Sequence, residues 1–217
     1  MQSLTPNKSL VQMTYEAILN EICIGTLEPG ARLSQDDLAE QLNVSRQPVN
    51  SAIAMLKSQN FVVDTGRRGV VVAAVDSKLF DAIYQFRSVV EPLAIKLATA
   101  NLTKDGITLG REIISHGQAS VEAEDKQAVL KADIDFHTLI YQLSGNPIII
   151  DTMQLNWRHL QRSMSKVLQY PGMTIQVWKE HEQIFDAVAD ADADQASSLM
   201  CHHIQDAQHR ITGQKTG

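Results

Sequence analysis

A chain of 217 residues, 44% hydrophobic and 20% charged, suits one large globular domain or two modest ones and excludes disorder as its main character. Its two cysteines, Cys23 and Cys201, are too few for a disulfide framework and fit a reducing cytoplasm, and neither an export leader nor a run of about 18 apolar residues is found. The net charge of −6 argues against a nucleic-acid binder held by bulk electrostatics, but six Lys or Arg stand against seven acids through Val75 and 13 against 18 beyond it, so the N-terminal part is near neutral.

From Leu10 to Ile24, Val11, Tyr15, Ile18, Leu19 and Ile22 recur at helical spacing, and Gly25 ends the predicted helix. Leu27-Glu28-Pro29-Gly30 reads as a tight turn, since proline presets φ and glycine accepts positive φ. Ser34 caps a short second helix, with Asp36 and Asp37 in the first turn where the dipole favours acids, and Leu38, Ala39 and Leu42 facing inward. At Asn43-Val44 the chain reverses, because Asn tolerates a left-handed conformation. Ser45 caps a third helix running to about Ser58, with Pro48 in its first turn, where a missing N–H costs little. The period then becomes extended: Phe61 to Asp64 and Val70 to Ala73 flank Thr65-Gly66-Arg67-Arg68-Gly69, a β-hairpin with a basic tip. Three helices and a hairpin predict a winged helix-turn-helix over residues 1–75.

After Asp76 the pattern is helical throughout, with helices predicted over 77–100, 104–123, 126–143, 147–169, 174–190 and 193–212. Turns fall at Thr103, Asp125, Gly145-Asn146-Pro147 and Pro171-Gly172. The fold class is therefore mainly α: the winged helix-turn-helix, then an all-α bundle of six or seven helices over residues 76–217.

The stretch LAEQLNVSRQPVNSAIAML, residues 38–56, meets the physical needs of a DNA reader: small Ala39 at a helix crossing, a turn at Asn43, an apolar anchor at Val44, then polar residues opening a helix. Ser45, Arg46, Gln47 and Asn50 would enter the major groove while the helix N-terminus faces phosphate. Arg67 and Arg68 add backbone contacts or form a solvated turn; both readings stand. The run TLEPGARLSQDDLAEQLNVSRQPVNSAIAMLKSQNFV resembles the N-terminal domain of the GntR family of bacterial regulators, with its PG-x-x-L turn, LAE-x-L helix and VSR-x-PV recognition helix. The resemblance implies operator binding by a dimer, Ser45, Arg46 and Gln47 at the start of the recognition helix, and Gly66 to Gly69 as the wing. Two departures stand out. Asn50 occupies a position where the family usually has Arg, which removes a guanine or phosphate contact, and Gln59-Asn60 replaces a usual acid-Gly pair.

In the second part Asp133 and His137 are i, i+4, hence on one helix face, while His181 and His203 come from other helices. Seven histidines in this length are unremarkable, and spacing alone leaves core, surface and ligand roles open. FRSVVEPLAIKLA at 86–98, DIDFHTLIYQLSGNP at 133–147 and EHEQIFDAVADADADQASSLMCHHI at 180–204 resemble the FCD effector domain of the FadR subfamily. That resemblance implies a divalent ion, Zn, Ni, Mn or Fe, held by Asp133, His137, His181 and His203, with open positions for a small organic-acid effector. His202 is off the pattern by one position, about 100° around a helix. The resemblance also matches Arg87 to a pocket arginine able to pair with a carboxylate; its other reading is a salt bridge to Glu91, four residues on. Asn146 closes the pocket or caps the helix beginning at Pro147. The expectation is a cytoplasmic, homodimeric DNA-binding transcriptional repressor, with double-stranded operator DNA and a carboxylate metabolite as partners and no membrane. The alternatives are a regulator with a metal-free apolar pocket, as in the subfamily's fatty-acyl-binding members, and a metal-dependent hydrolase, for which no accompanying general base is recognisable.

Overall fold

In the computed structural model, which describes residues 9–66, 69–167 and 173–212, the chain divides into two units, Met1–Val75 and Asp76–Gly217. The first unit holds α1 (Leu10–Ile24), α2 (Gln35–Gln41), α3 (Arg46–Ser58) and an antiparallel pair, β1 (Val62–Asp64) with β2 (Val70–Val72), in which Val62 lies opposite Val72. Ser9 and Ser34 cap α1 and α2, their hydroxyls accepting from the Gln12 and Asp37 amides at 3.2 and 3.3 Å. Ser45 takes the N-cap position of α3 with extended backbone, but its hydroxyl makes no capping bond. The third helical residue is Pro48, which has no N–H to offer, so the expected cap lacks its usual donor.

Asn43 and Asn60 adopt φ of 50° and 61°, the left-handed region that asparagine tolerates. The departure at Gln59-Asn60 is thus used twice: Asn60 makes the turn a glycine would make, and Gln59 Oε1 accepts from Tyr15 on α1 at 2.5 Å. One pairing was not foreshadowed by the pattern. The segment around Arg32 bridges Val71, with Leu33 donating to Val70 and Val72 donating to Ala31, both at 2.9 Å, so the hairpin gains a third extended neighbour. Ile18, Leu19, Ile22, Val49, Ala52, Leu56, Phe61 and Val72 form the core between helices and hairpin, each large side chain contributing roughly 1.5–3 kcal/mol of transfer free energy.

The second unit consists, among the described residues, of six helices: α4 (Ser77–Ala100), α5 (Lys104–Glu122), α6 (Lys126–Ser144), α7 (Pro147–Val167), α8 (Met173–Ala189) and α9 (Ala193–Thr212). The last two residues of the predicted 147–169 helix and the Pro171-Gly172 turn lie outside the described residues. Asp76, Thr103 and Asp125 accept from backbone amides at the starts of α4, α5 and α6, and Gly145 ends α6 at φ 66°. The α4 helix packs on α9 and α6, α5 packs on α6 and α8, and α7 leans on α6 and α4. Their shared core includes Ile95, Phe136, Ile140, Met153, Leu160, Phe185 and Met200.

Two backbone details position the core. Pro92 lies inside α4 and cannot donate to the Ser88 carbonyl; Cys201 Sγ on α9 sits 4.0 Å from that carbonyl, and Ser197 Oγ donates to the Pro92 carbonyl at 3.2 Å. On α5, a Cβ at Gly110 would meet the Phe185 ring at 1.9 Å and one at Gly117 would meet the Trp178 ring at 2.1 Å, so both glycines are occupied by rings of α8. No helix of the described residues is long and apolar enough to cross a membrane.

Candidate functional site

In the N-terminal unit α3 divides cleanly. Pro48, Val49, Ala52, Ile53 and Leu56 are buried, and Ser45, Arg46, Gln47 and Asn50 share the exposed side at the helix start. That placement follows from helical periodicity once the apolar set is packed. Arg46 forms an ion pair with Asp36 of α2, both side chains being largely in solvent. A groove ligand must therefore share Arg46 with Asp36 or displace that acid. Arg67 and Arg68 lie outside the described residues.

In the bundle, α6, α8 and α9 bring His137, His181 and His203 together, with one donor atom from each lying within 4.8 Å of the others and all three side chains buried. Asp133, one turn before His137, places Oδ1 3.6 Å from His181 Nε2. His202, next to His203, is exposed and stays out of the cluster. The rings also pack on one another and on the core. His181 is stacked on Phe136 with centroids 4.3 Å apart and met edge-on by Trp178 at 4.9 Å, while His137 lies 5.5 Å from His203.

Arg87 is fully buried, with Glu91 and His137 beside its guanidinium. Its Nε donates to Glu91 Oε1 at 2.5 Å, its Nη2 lies 3.5 Å from His137 Nε2, and its guanidinium covers Tyr84 and Trp157 at 5.0 and 4.7 Å. The salt bridge to Glu91 is therefore present, and the cation still reaches the edge of the imidazole cluster. Asn146 is different. Its Oδ1 accepts from the Ile148 and Ile149 amides at 3.0 and 3.4 Å, which is the capping alternative of its two readings.

Glu91 and four residues that the sequence did not assign to the site, Tyr141, Trp157, Glu180 and Arg210, complete it. Glu91 accepts from Arg87, from His137 Nδ1 at 2.7 Å and from Tyr141 at 2.8 Å, and Trp157 donates to Tyr141 at 3.1 Å. Glu180 receives His203 Nδ1 at 2.9 Å and is paired with Arg210. A signal existed only for Glu91, as the i+4 partner of Arg87.

Burial pushes His181 well below the ordinary imidazole range, with His203 and His137 adding to the effect, and burial also lowers His203 against the opposing pull of Glu180. Burial alone would raise Glu91, but Arg87 and then His137 outweigh it and hold the carboxyl well below its usual range. Burial likewise disfavours the Arg87 charge, and Glu91 outweighs it. The result is two neutral imidazoles, at positions 181 and 203, beside internally neutralised charges. Neutral imidazole nitrogens with a nearby carboxylate are a donor set that suits a borderline divalent ion, so the residues fit one.

The FCD domain family matches residues 82–206, and the bacterial regulatory proteins of the gntR family match residues 10–72. The HTH-type transcriptional regulator McbR of Escherichia coli (strain K12) is 30% identical over 149 residues, 69% of this chain and 67% of McbR. The HTH-type transcriptional repressor RspR of the same organism is 21% identical over 208 residues, covering 96% and 91%. Among solved structures, E. coli McbR/YncC superposes with a TM-score of 0.83 at 24% identity, covering 95% of this chain and 98% of that one, a likeness of fold. These relatives are transcriptional regulators, and the hydrolase alternative falls with that finding. Carrying a gntR-type helix-turn-helix ahead of an FCD domain that spans more than half of its length, the chain belongs to the GntR family of bacterial regulatory proteins.

Proposed function

We propose that the protein is a homodimeric, operator-binding transcriptional repressor whose affinity for DNA is set by a small carboxylate metabolite bound in the helical unit beside a divalent ion. The observation that carries this reading is the convergence of three buried imidazoles from three helices of the FCD domain, within 4.8 Å of one another, with Asp133 at their edge. Asp133, His137, His181 and His203 would hold the ion. When bound, it would supply open coordination positions for a carboxylate oxygen. Arg87 would orient the same carboxylate, since its Nη2 already lies 3.5 Å from His137 Nε2. A fatty-acyl pocket is less well supported, because Arg87, Glu91, Asp133 and the imidazoles make this interior polar.

At the other end, Ser45, Arg46, Gln47 and Asn50 would read the major groove, and the Arg67–Arg68 wing tip would add backbone contacts. With a near-neutral reader, affinity has to come from two copies acting together. The exposed apolar strip of Phe86, Val89 and Leu93 on α4, spaced i, i+3 and i+7, supports pairing of two bundles. An effector shifts operator binding only as far as it binds the DNA-competent and incompetent states differently.

Selection of bound sequences from genomic DNA supplies the operator, and Arg46→Ala should then weaken its binding by about 1–3 kcal/mol without changing metal content. Elemental analysis should find bound divalent ion in the wild type and its loss in His181→Ala. Failure to retain any duplex at low salt removes the regulator reading, whereas a metal-free protein that still binds DNA removes only the effector half.

A further inference from the structure

The cluster's three imidazoles are aimed by two different devices. Glu180 Oε2 lies 2.9 Å from His203 Nδ1. On its far side Arg210, near the end of α9, donates Nη1 to the same oxygen at 3.3 Å and Nη2 to Oε1, a two-pronged grip on the carboxylate. Asp206 lies 3.9 Å from the same guanidinium. A carboxylate held by an arginine fork only accepts, so the proton of neutral His203 belongs on Nδ1 and the lone pair on Nε2. That Nε2 points at His181 Nε2, 3.2 Å away.

The arrangement repeats on His137, whose Nδ1 lies 2.7 Å from Glu91, itself gripped by Arg87. His181 has no such support. Its Nδ1 has no hydrogen-bond partner among the described residues, and its ring is fixed by Phe136 on one face and the Trp178 edge. Two imidazoles are thus aimed by ion-paired carboxylates from outside the cluster, and the third by aromatic packing.

We propose that Glu180 and Arg210 are positioning residues of the metal centre: they fix His203 as the Nδ1–H tautomer with Nε2 turned inward, so the ion affinity of the bundle depends on a carboxylate and a guanidinium that never touch the ion. The proposal rests on the metal reading of the cluster. A hydrogen-bonded partner on the remote ring nitrogen sets the tautomer and raises the basicity of the coordinating one, and its loss typically weakens metal binding about 10–100-fold. Through Arg210 the relay also ties the last turns of α9 to the site, a dependence that spacing within the helix does not reveal.

The test uses the full-length protein and zinc. Affinity is measured by competition with a chromophoric chelator for wild type, Glu180→Ala and the isosteric Glu180→Gln, and the ring-nitrogen shifts of His203 are read by NMR in the metal-free proteins. Glu180→Ala should lose about 10–100-fold in affinity and show His203 as a mixture of tautomers. Glu180→Gln, which keeps an acceptor, should recover part of both and remains informative if the alanine variant folds poorly. Zinc affinity indistinguishable from wild type in both variants overturns the relay. A wild type that takes up no zinc overturns the metal reading instead, and the His203 tautomer in the metal-free protein still decides whether Glu180 sets its orientation.

Discussion

The two units keep their charged working side chains in opposite surroundings. Arg46 and its partner Asp36 are 70% and 60% exposed, whereas Arg87 and Glu91 are 2% and 0% exposed, although each pair is an arginine on a carboxylate. Water can replace either member of the first pair at little cost, so Arg46 is available to a phosphate or a base edge. Removing a member of the second pair leaves a buried charge unmatched, and the carboxylate is held there by donors from α4 and α6. In the proposed reading, the exposed cation would trade one anion for another on a duplex and the buried one would discriminate a single small anion.

The largest expected effect breaks that comparison if it fails. Glu91→Ala strands the Arg87 charge in the core and leaves His137 Nδ1 and the Tyr141 hydroxyl without their acceptor, and should cost about 3–5 kcal/mol in urea unfolding. Asp36→Ala, beside an equally formal pair, should stay within about 0–1 kcal/mol. Equal costs would mean that burial does not separate the two arginines.

Acid should act next. His181 and His203 are held below the ordinary value of 6.5, so unfolded imidazoles take up protons that the folded ones refuse. The stability this supplies is complete above 6.5 and declines as pH falls through that value, by up to about 1.4 kcal/mol per pH unit for each extra proton bound on unfolding. Urea midpoints of the metal-free protein between neutral pH and about 5.5 check this; a flat profile in that window would show that the two rings are not shielded.

The smallest effect sharpens the boundary of the site. Asn146→Ala removes the α7 cap and should cost about 0.5–2 kcal/mol of stability while leaving zinc uptake and operator binding unchanged. A lost effector response at normal stability would return Asn146 to the pocket.

Much of the fold was legible because its signals are local. Caps at Ser34, Thr103 and Asp125, stops at Gly25 and Gly145, and the Asn43 turn are each decided by a few neighbouring residues. Ser45 misled in one respect, since its hydroxyl makes no capping bond and the residue three on is a proline with no N–H to give. The Arg32 bridge was missed because its partner strand lies some forty residues downstream and carries no pairing code of its own. The cluster divides in the same way. Asp133 and His137 share a face that periodicity reveals, while the histidines at 181 and 203 needed a family resemblance to join them. Glu180 and Arg210, 30 residues apart, leave no trace in spacing because their meeting is a product of how α8 lies on α9.

Gly117 has a reach beyond its own helix. With no side chain there, the Trp178 indole settles directly on the α5 backbone, and that indole is the ring that meets His181 edge-on. The thinness of α5 at this point therefore sets the depth at which the one imidazole without a carboxylate behind it can sit. A single methyl group added at Gly117 would act as a shim, lifting the indole and swinging His181 with it, and would alter the geometry of the centre from a helix that contributes no donor to it.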